Sequence, residues 1–166
     1  YAVVEGEAGP ALVASREGRV VASFLPGRAP RVLVRLLRER FPDAAEAPAE
    51  EVAGAPELRR WLEGEARAVE GVAVGLDGVP PFAARVYAEL RKVPPGRTLT
   101  YGELAARAGS PRAARAVGRA MARNPLAPFV PCHRVVGAGG ALTGFSAPGG
   151  VSFKARLLSA EARAKP

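Results

Sequence analysis

Apolar and polar positions alternate over two short runs near the start of the chain, and later recur at helical spacing. Ala11-Leu12-Val13-Ala14-Ser15 and Arg19 to Phe24 are β-compatible, and Arg16-Glu17-Gly18 between them predicts a hairpin. From Arg31 to Phe41 the residues Val32, Leu33, Leu36, Leu37 and Arg40 fall at helical spacing, with Pro42 as the stop. The Ala/Pro/Glu-rich stretch Pro42 to Ala55 predicts a surface loop. Pro56 then opens a short helix through Leu58, Trp61 and Leu62 that ends near Gly64. Gly71 to Pro81 predicts a strand through Val72, Val74 and Leu76 followed by a linker, and Phe82, Val86, Tyr87 and Leu90 mark one face of a helix ending before Pro94.

The pattern then tightens. Thr100-Tyr101-Gly102-Glu103 spells a capping box, in which the Thr side chain bonds the Glu amide while the Glu side chain reaches back. The helix it opens runs to about Ala108 and is closed by Gly109, after which Ser110 caps a further helix that has Pro111 at its first position. Two short helices joined by a Gly-containing turn, the second rich in Arg, outline a helix-turn-helix. Arg112, Arg115, Arg119 and Arg123 stack along one face of the second helix, and the small residues Ala113, Ala114, Ala116 and Gly118 let its backbone approach a groove closely. The predicted class is α+β. A small N-terminal α/β domain, strands then helices, covers residues 1–76, and a mainly helical C-terminal domain containing the helix-turn-helix covers 77–166.

Composition adds boundaries. With 166 residues, 48% of them hydrophobic, a real core forms without disulfide staples, and a disordered tail is excluded. The single cysteine, Cys132, cannot make an internal disulfide, and with the single histidine, His133, it cannot complete a Cys/His zinc site. No metal or cofactor is expected. No apolar run approaches the roughly 18 to 20 residues of a membrane span, and the opening residues lack a signal-peptide pattern, so a reducing, cytoplasmic setting is expected. Absence of Gln and Ile, with one Asn and one Met, fits a heat-adapted source and a GC-rich genome equally.

Charge is unevenly spread. Residues 1–80 carry 10 basic and 13 acidic side chains, whereas 81–166 carry 14 basic and 3 acidic. No acidic residue lies between Glu103 and Glu161. A polyanionic partner and a merely solvated basic surface both account for that bias, the Arg-rich helix favouring nucleic acid. The sole Asn, Cys and His all fall between positions 124 and 133. In Pro131-Cys132-His133-Arg134-Val135-Val136, neighbouring positive charge and hydrogen bonding would favour the thiolate of a nucleophilic Cys132, while a buried structural cysteine is the alternative.

These residues, with Thr100 to Ala105, Ala113 to Gly118 and Asn124-Pro125 before them in order, closely resemble the O6-alkylguanine-DNA alkyltransferase family over Phe82 to Glu161. The resemblance implies a monomer that binds double-stranded DNA containing O6-alkylguanine, flips the damaged base and takes its alkyl group onto Cys132 in a single turnover. It implies catalytic roles for Cys132, His133, Glu161, Asn124 and Tyr101, with the thiol proton relayed through a water to His133 and on to Glu161. The helix-turn-helix would enter the minor groove, Ala113 and Ala114 against its floor, Arg115 filling the gap in the stack, and Arg112 and Arg119 adding DNA contacts. Tyr101, Met121, Val135, Phe145 and Ser146 would line the alkylguanine pocket. Phe145 stands where many members have Tyr, and Ala147-Pro148 form an insertion between the cysteine motif and Glu161. A sensor that flips the base without reacting, and a Cys-His hydrolase, are the competing classes; Cys132 argues against the first and the lack of an obvious acyl pocket against the second.

Overall fold

The computed structural model describes residues 1–163, so the last three residues of the second expected domain lie outside the described residues. The chain divides into two units, one holding Tyr1–Asp77 with Pro125–Phe129, the other Gly78–Asn124 and the chain from Val130 onward.

In the first unit β1 (Ala2–Val4), β2 (Ala11–Arg16) and β3 (Arg19–Phe24) form an antiparallel sheet in chain order. The two-residue turn at Glu17 and Gly18 has φ of 51° and 72°, the positive pair that matches strand twist in a tight hairpin. β1 was not foreseen, because three residues are too few to display alternation. α1 (Pro30–Arg40) starts on Pro30 and packs Leu33 and Leu37 against Leu12, Ala14 and Ala22 of the sheet. The stretch from Pro42 to Ala55 is not simply a surface loop. It contains a 3₁₀ turn at Ala49–Glu51 and buries Val52 and Ala55, the latter opening α2 (Ala55–Leu62). The strand expected through Val72, Val74 and Leu76 reduces to one parallel bridge between Val74 and Val20, since glycines at 71, 75 and 78 interrupt it. A cavity of about 350 Å³, lined by Arg16, Arg40, Phe41 and Asp43 among others, lies in this unit and holds none of the candidate chemistry.

The second unit begins with α3 (Pro81–Leu90), again opened by proline, and then β4 (Leu99–Thr100) leads straight into α4 (Tyr101–Arg107). The capping box is present in both directions: Glu103 N–H donates to Thr100 Oγ1 at 3.2 Å, and Thr100 N–H donates to Glu103 Oε2 at 2.7 Å. Ser110 does not cap the next helix. Its carbonyl accepts from Ala113 N–H at 2.9 Å, closing a turn, and α5 (Ala114–Ala122) starts after Ala113. Ser followed by Pro also suits the first two positions of a β-turn, and that reading of the same signal prevails here. Only Arg115 and Arg119 therefore lie within α5, while Arg112 precedes it and Arg123 terminates it. Leu104 and Ala105 of α4, Val117, Ala120 and Met121 of α5, and Val86, Tyr87 and Leu90 of α3 are buried. The Tyr87 hydroxyl donates to Ala120 O at 2.8 Å, leaving no orphaned phenol in that interior.

After a 3₁₀ turn at Cys132–Arg134, β5 (Val135–Val136) pairs in parallel with β4, and α6 (Gly150–Arg163) closes the described chain. Neither the two-residue strands nor α6 was anticipated. Among the described residues no helix is long and apolar enough to cross a membrane.

Gly54 marks a close approach in the first unit. Its φ is +86°, and a Cβ there would stand 2.5 Å from Val20 Cγ2 and 3.0 Å from Phe129 Cζ. Left-handed strain and overpacking together predict that Gly54→Ala destabilises the protein by about 3 kcal/mol, readable as a lowered urea midpoint.

Candidate active site

The turn carrying Cys132 is built by its prolines and its backbone. Val130 O accepts from Cys132 N–H at 2.8 Å and Pro131 O accepts from Arg134 N–H at 2.9 Å, so Cys132, His133 and Arg134 leave one tight turn. The β4–β5 ladder then joins this turn to the start of α4, where Tyr101 stands immediately after the capping threonine. Asn124 is the last residue before Pro125–Phe129 leave for the first unit, and Val130 is the first on return. The Asn124 side-chain amide donates to Val130 O at 2.8 Å, clasping the base of that excursion, and it also hydrogen-bonds the Cys132 sulfur.

α6 supplies the opposite side. Phe153, Lys154 and Glu161 are its buried residues, and the seven-residue interval from Lys154 to Glu161 is two helical turns, which puts a cation and an anion on one face. Cys132 is 7% exposed, His133 1%, Arg134 3%, Lys154 1% and Glu161 5%, so the charged groups are out of water and must be satisfied internally. Glu161 achieves this. Its Oε1 is 2.8 Å from His133 Nε2 and accepts from Arg134 Nη2 at 2.7 Å, while Oε2 accepts from Arg134 Nε at 3.1 Å and from Gly96 N–H at 3.2 Å. Arg134 uses its remaining arm on Val93 O at 2.7 Å. The fork-to-fork pairing is the strong form of the ion pair. Ala147 and Pro148 lie ahead of α6, and Glu161 reaches its partners from within that helix.

Electrostatics follow from burial and these partners. Burial alone would raise the Glu161 carboxyl, but hydrogen bonds from His133 and Arg134 and their charges overcome it and hold the group at about 2. Burial lowers the His133 imidazole below its ordinary value, against the pull of Glu161. With Glu161 ionised and the ring neutral, Nε2 carries the proton and donates to the carboxylate, leaving Nδ1 as the basic nitrogen. Burial raises the Cys132 thiol, outweighing the Asn124 hydrogen bond and the charge of Lys154. Hydrogen bonding and nearby positive charge do favour the thiolate, but desolvation outweighs them and leaves a thiol whose proton must be removed.

The other expected site residues are more dispersed. Tyr101 is half-buried, its ring near Gly118 of α5, and its hydroxyl accepts from Thr143 Oγ1 at 3.4 Å. Val135 and Met121 are buried, Ser146 is exposed, and half-buried Phe145 packs on Phe153 with ring centroids 6.2 Å apart. Arg112, Arg115 and Arg119 are exposed, and Ala113 and Ala114 are partly so at the start of α5. Sequence reasoning overlooked Arg134, Lys154 and Gly96. A buried fate for Arg134 and Lys154 has no local signal, although their position in a stretch without acids could have raised the question of what neutralises them. Among the described residues no group of three or more His, Cys, Asp or Glu side chains converges to hold a metal ion.

Comparison with known proteins adds the following. A family model described as 6-O-methylguanine DNA methyltransferase, DNA binding domain, matches residues 81–163. The chain is 37% identical over 163 residues to the methylated-DNA–protein-cysteine methyltransferase of Methanosarcina acetivorans, covering 97% of each. It is 51% identical over 85 residues to the protein of that name from Mycolicibacterium paratuberculosis, covering 51% of this chain and 50% of the other. The structure of Mycobacterium tuberculosis OGT in complex with DNA matches with a TM-score of 0.75 at 31% identity, covering 97% of this chain and 91% of that one. The O6-methylguanine methyltransferase structure from the same organism gives 0.77 at 31% identity, covering 100% and 94%.

The buried network predicts acid sensitivity. A carboxyl depressed from 4.5 to about 2 contributes stability that is full above pH 4.5 and lost as pH falls through 2, on the order of 3 kcal/mol. A histidine lowered from 6.5 acts in the same direction, its contribution shrinking as pH drops below 6.5. The urea midpoint should therefore fall between pH 7 and pH 3. Glu161→Gln, which leaves the Arg134 charge buried without its partner, should cost about 3 to 5 kcal/mol at pH 7 and flatten that pH dependence.

Proposed function

The chain belongs to the 6-O-methylguanine DNA methyltransferase family, and on that premise we propose that Cys132 accepts the alkyl group of O6-alkylguanine in duplex DNA. The activity is direct-reversal repair by a methylated-DNA protein-cysteine methyltransferase, and DNA is its partner. The single observation that carries the assignment of roles is the buried contact of Glu161 with both His133 and Arg134, the two residues that follow the cysteine. It orients a neutral imidazole whose Nδ1 is the basic nitrogen.

The chemistry is a displacement at carbon. The Cys132 thiol gives its proton to His133 Nδ1, through a bridging water. The sulfur forms a bond to the alkyl carbon as the bond from that carbon to O6 breaks, and the released electron pair passes to O6. The restored guanine takes up one proton on its ring, so the thiol proton is balanced. At neutral pH an ordinary thiol of pKa about 8.5 is only about 3% ionised, and one raised by burial is less so, hence the base matters. Complete ionisation would still gain only about thirty-fold over an ordinary thiol, so most of the acceleration is assigned to alignment of sulfur, carbon and oxygen and to stabilising the departing base. A thioether is a poor leaving group, and the protein is consumed one for one. The presence of Cys132 leaves no support for a sensor that binds without reacting.

Access to O6 requires the guanine to leave the stack, at a cost of a few kcal/mol that is smallest for a damaged, weakly paired base. We assign Arg115, exposed near the start of α5 beside Ala113 and Ala114, to occupy the vacated space, with Arg112 and Arg119 on phosphates. Tyr101, Met121, Val135, Phe145 and Ser146 are assigned to the base pocket. The protein acts as a monomer in the cytoplasm, where its lone thiol stays reduced.

Incubation with DNA containing O6-methylguanine should add one methyl group to the peptide holding Cys132, stoichiometrically, as read by mass spectrometry. Repaired base in molar excess over protein would refute the reading. Arg115→Ala should slow repair of duplex substrate by about tenfold or more while leaving reaction with the free alkylguanine base little changed. Equal losses on both substrates would remove the stack-filling role. Each phosphate neutralised should add about −0.9 to the slope of log binding constant against log salt, so Arg112→Ala should make that slope shallower by about one.

A further inference from the structure

Among the described residues Lys154 is the one buried cation of the second unit without a role in the chemistry above. It lies 1% exposed on α6, and its ammonium donates to Val135 O, three residues past Cys132, and to Thr143 O at 3.1 Å. Thr143 belongs to the glycine-rich strap between β5 and α6, and its hydroxyl donates to Tyr101 at the start of α4. One ammonium therefore ties α6 to the backbone leaving the cysteine turn and to the strap. Two carbonyls accept two of its three N–H bonds but do not neutralise it, and among the described residues the buried carboxylate is committed to Arg134 and His133. An apolar side chain of similar length would avoid the desolvation cost of burying a charge. A charge kept at that cost points to a use beyond packing.

We propose that Lys154 is a positioning residue for alkyl transfer, pinning the strap to the backbone that follows Cys132 and holding a fixed positive charge that favours the Cys132 thiolate. The proposal rests on the alkyl-transfer reading. Four groups act on the thiol–imidazole pair from the elements around it. Burial disfavours the thiolate, while the Asn124 amide at the end of α5 and the Lys154 charge on α6 favour it. The thiolate in turn favours the charged form of Lys154, against the burial that lowers it. On His133, Glu161 favours protonation, whereas burial, Arg134 and Lys154 oppose it. Lys154 thus eases loss of the proton from sulfur and resists its arrival on the ring, so the quantity to measure is titration of the thiol itself.

Because Cys132 is the only cysteine, the rate of its carboxamidomethylation by iodoacetamide, followed across pH by intact mass, reports its ionisation without DNA. Lys154→Gln keeps donors for the two carbonyls and removes the charge; Lys154→Met removes both; Lys154→Arg keeps the charge. Both neutral variants should move the inflection up by about one pH unit, slowing the reaction at pH 7 roughly tenfold, and Lys154→Arg should restore it. Hydrogen exchange over residues 138–149 should accelerate in Lys154→Met and much less in Lys154→Gln. An unchanged inflection in folded Lys154→Gln overturns the electrostatic role, whatever its melting temperature, and unchanged exchange in Lys154→Met overturns the pinning role. Should neither neutral variant fold, Cys132→Ser in the otherwise natural chain must lower the Lys154 ammonium titration seen by ¹⁵N NMR, and no shift would refute the coupling. Failure of the unmodified protein to take a methyl group from O6-methylguanine DNA would instead count against the repair reading, and the iodoacetamide titration would remain readable.

Discussion

A single carboxylate, buried on α6, holds the second unit's chemistry in place. Glu161 accepts hydrogen bonds from His133, Arg134 and the backbone of Gly96, which come from two segments far apart in sequence. The cost of removing an anion and a guanidinium from water is large, and it is offset here only because every lone pair and every arm of the pair is used. That completeness makes the arrangement unforgiving. Loss of one partner leaves a buried charge, whereas a surface pair of the same geometry would contribute little. It also sets direction: a carboxylate held at about 2 remains ionised across the working range and fixes which ring nitrogen of His133 bears the proton.

From this constraint the state of the nucleophile follows. Burial keeps both partners of the proton transfer neutral, raising the thiol and lowering the imidazole. Separating charge between them is unfavourable in the buried site, which on the proposed reading holds the thiol back until the alkylated base is in place. The Asn124 hydrogen bond and the Lys154 charge act the other way on the thiol, without overcoming burial. In the site the low dielectric that suppresses charge is opposed, though at the thiol not outweighed, by a few fixed groups that favour charge in one place.

The legibility of these features in the sequence depended on range. The hairpin at Glu17-Gly18, the proline-opened helices and the capping box at Thr100 are encoded within a few residues, and each formed where its local chemistry pointed. The start of α5 did not, because Ser110-Pro111 satisfies a turn as well as a cap, and the choice is made by the chain around it. β1, β4 and β5 are two or three residues long and acquire meaning only from their partners. The pairing of His133 with Glu161, 28 residues apart, carried no local signal and was anticipated only through family resemblance. The burial of Arg134 and Lys154 has no local signal, since a sequence does not disclose that a cation is buried. Basic residues beside Cys132 are visible in the sequence, whereas the desolvation that raises its thiol is not.

His133 is the only histidine of the chain, so ¹⁵N NMR of histidine-labelled protein reads its tautomer and titration without ambiguity. A neutral ring protonated on Nε2, staying neutral at pH values below the ordinary 6.5 and changing tautomer preference in Glu161→Gln, is the predicted result. A ring protonated on Nδ1, or an imidazolium already formed at neutral pH, would contradict the account, since no basic nitrogen would then be available to take the proton from Cys132.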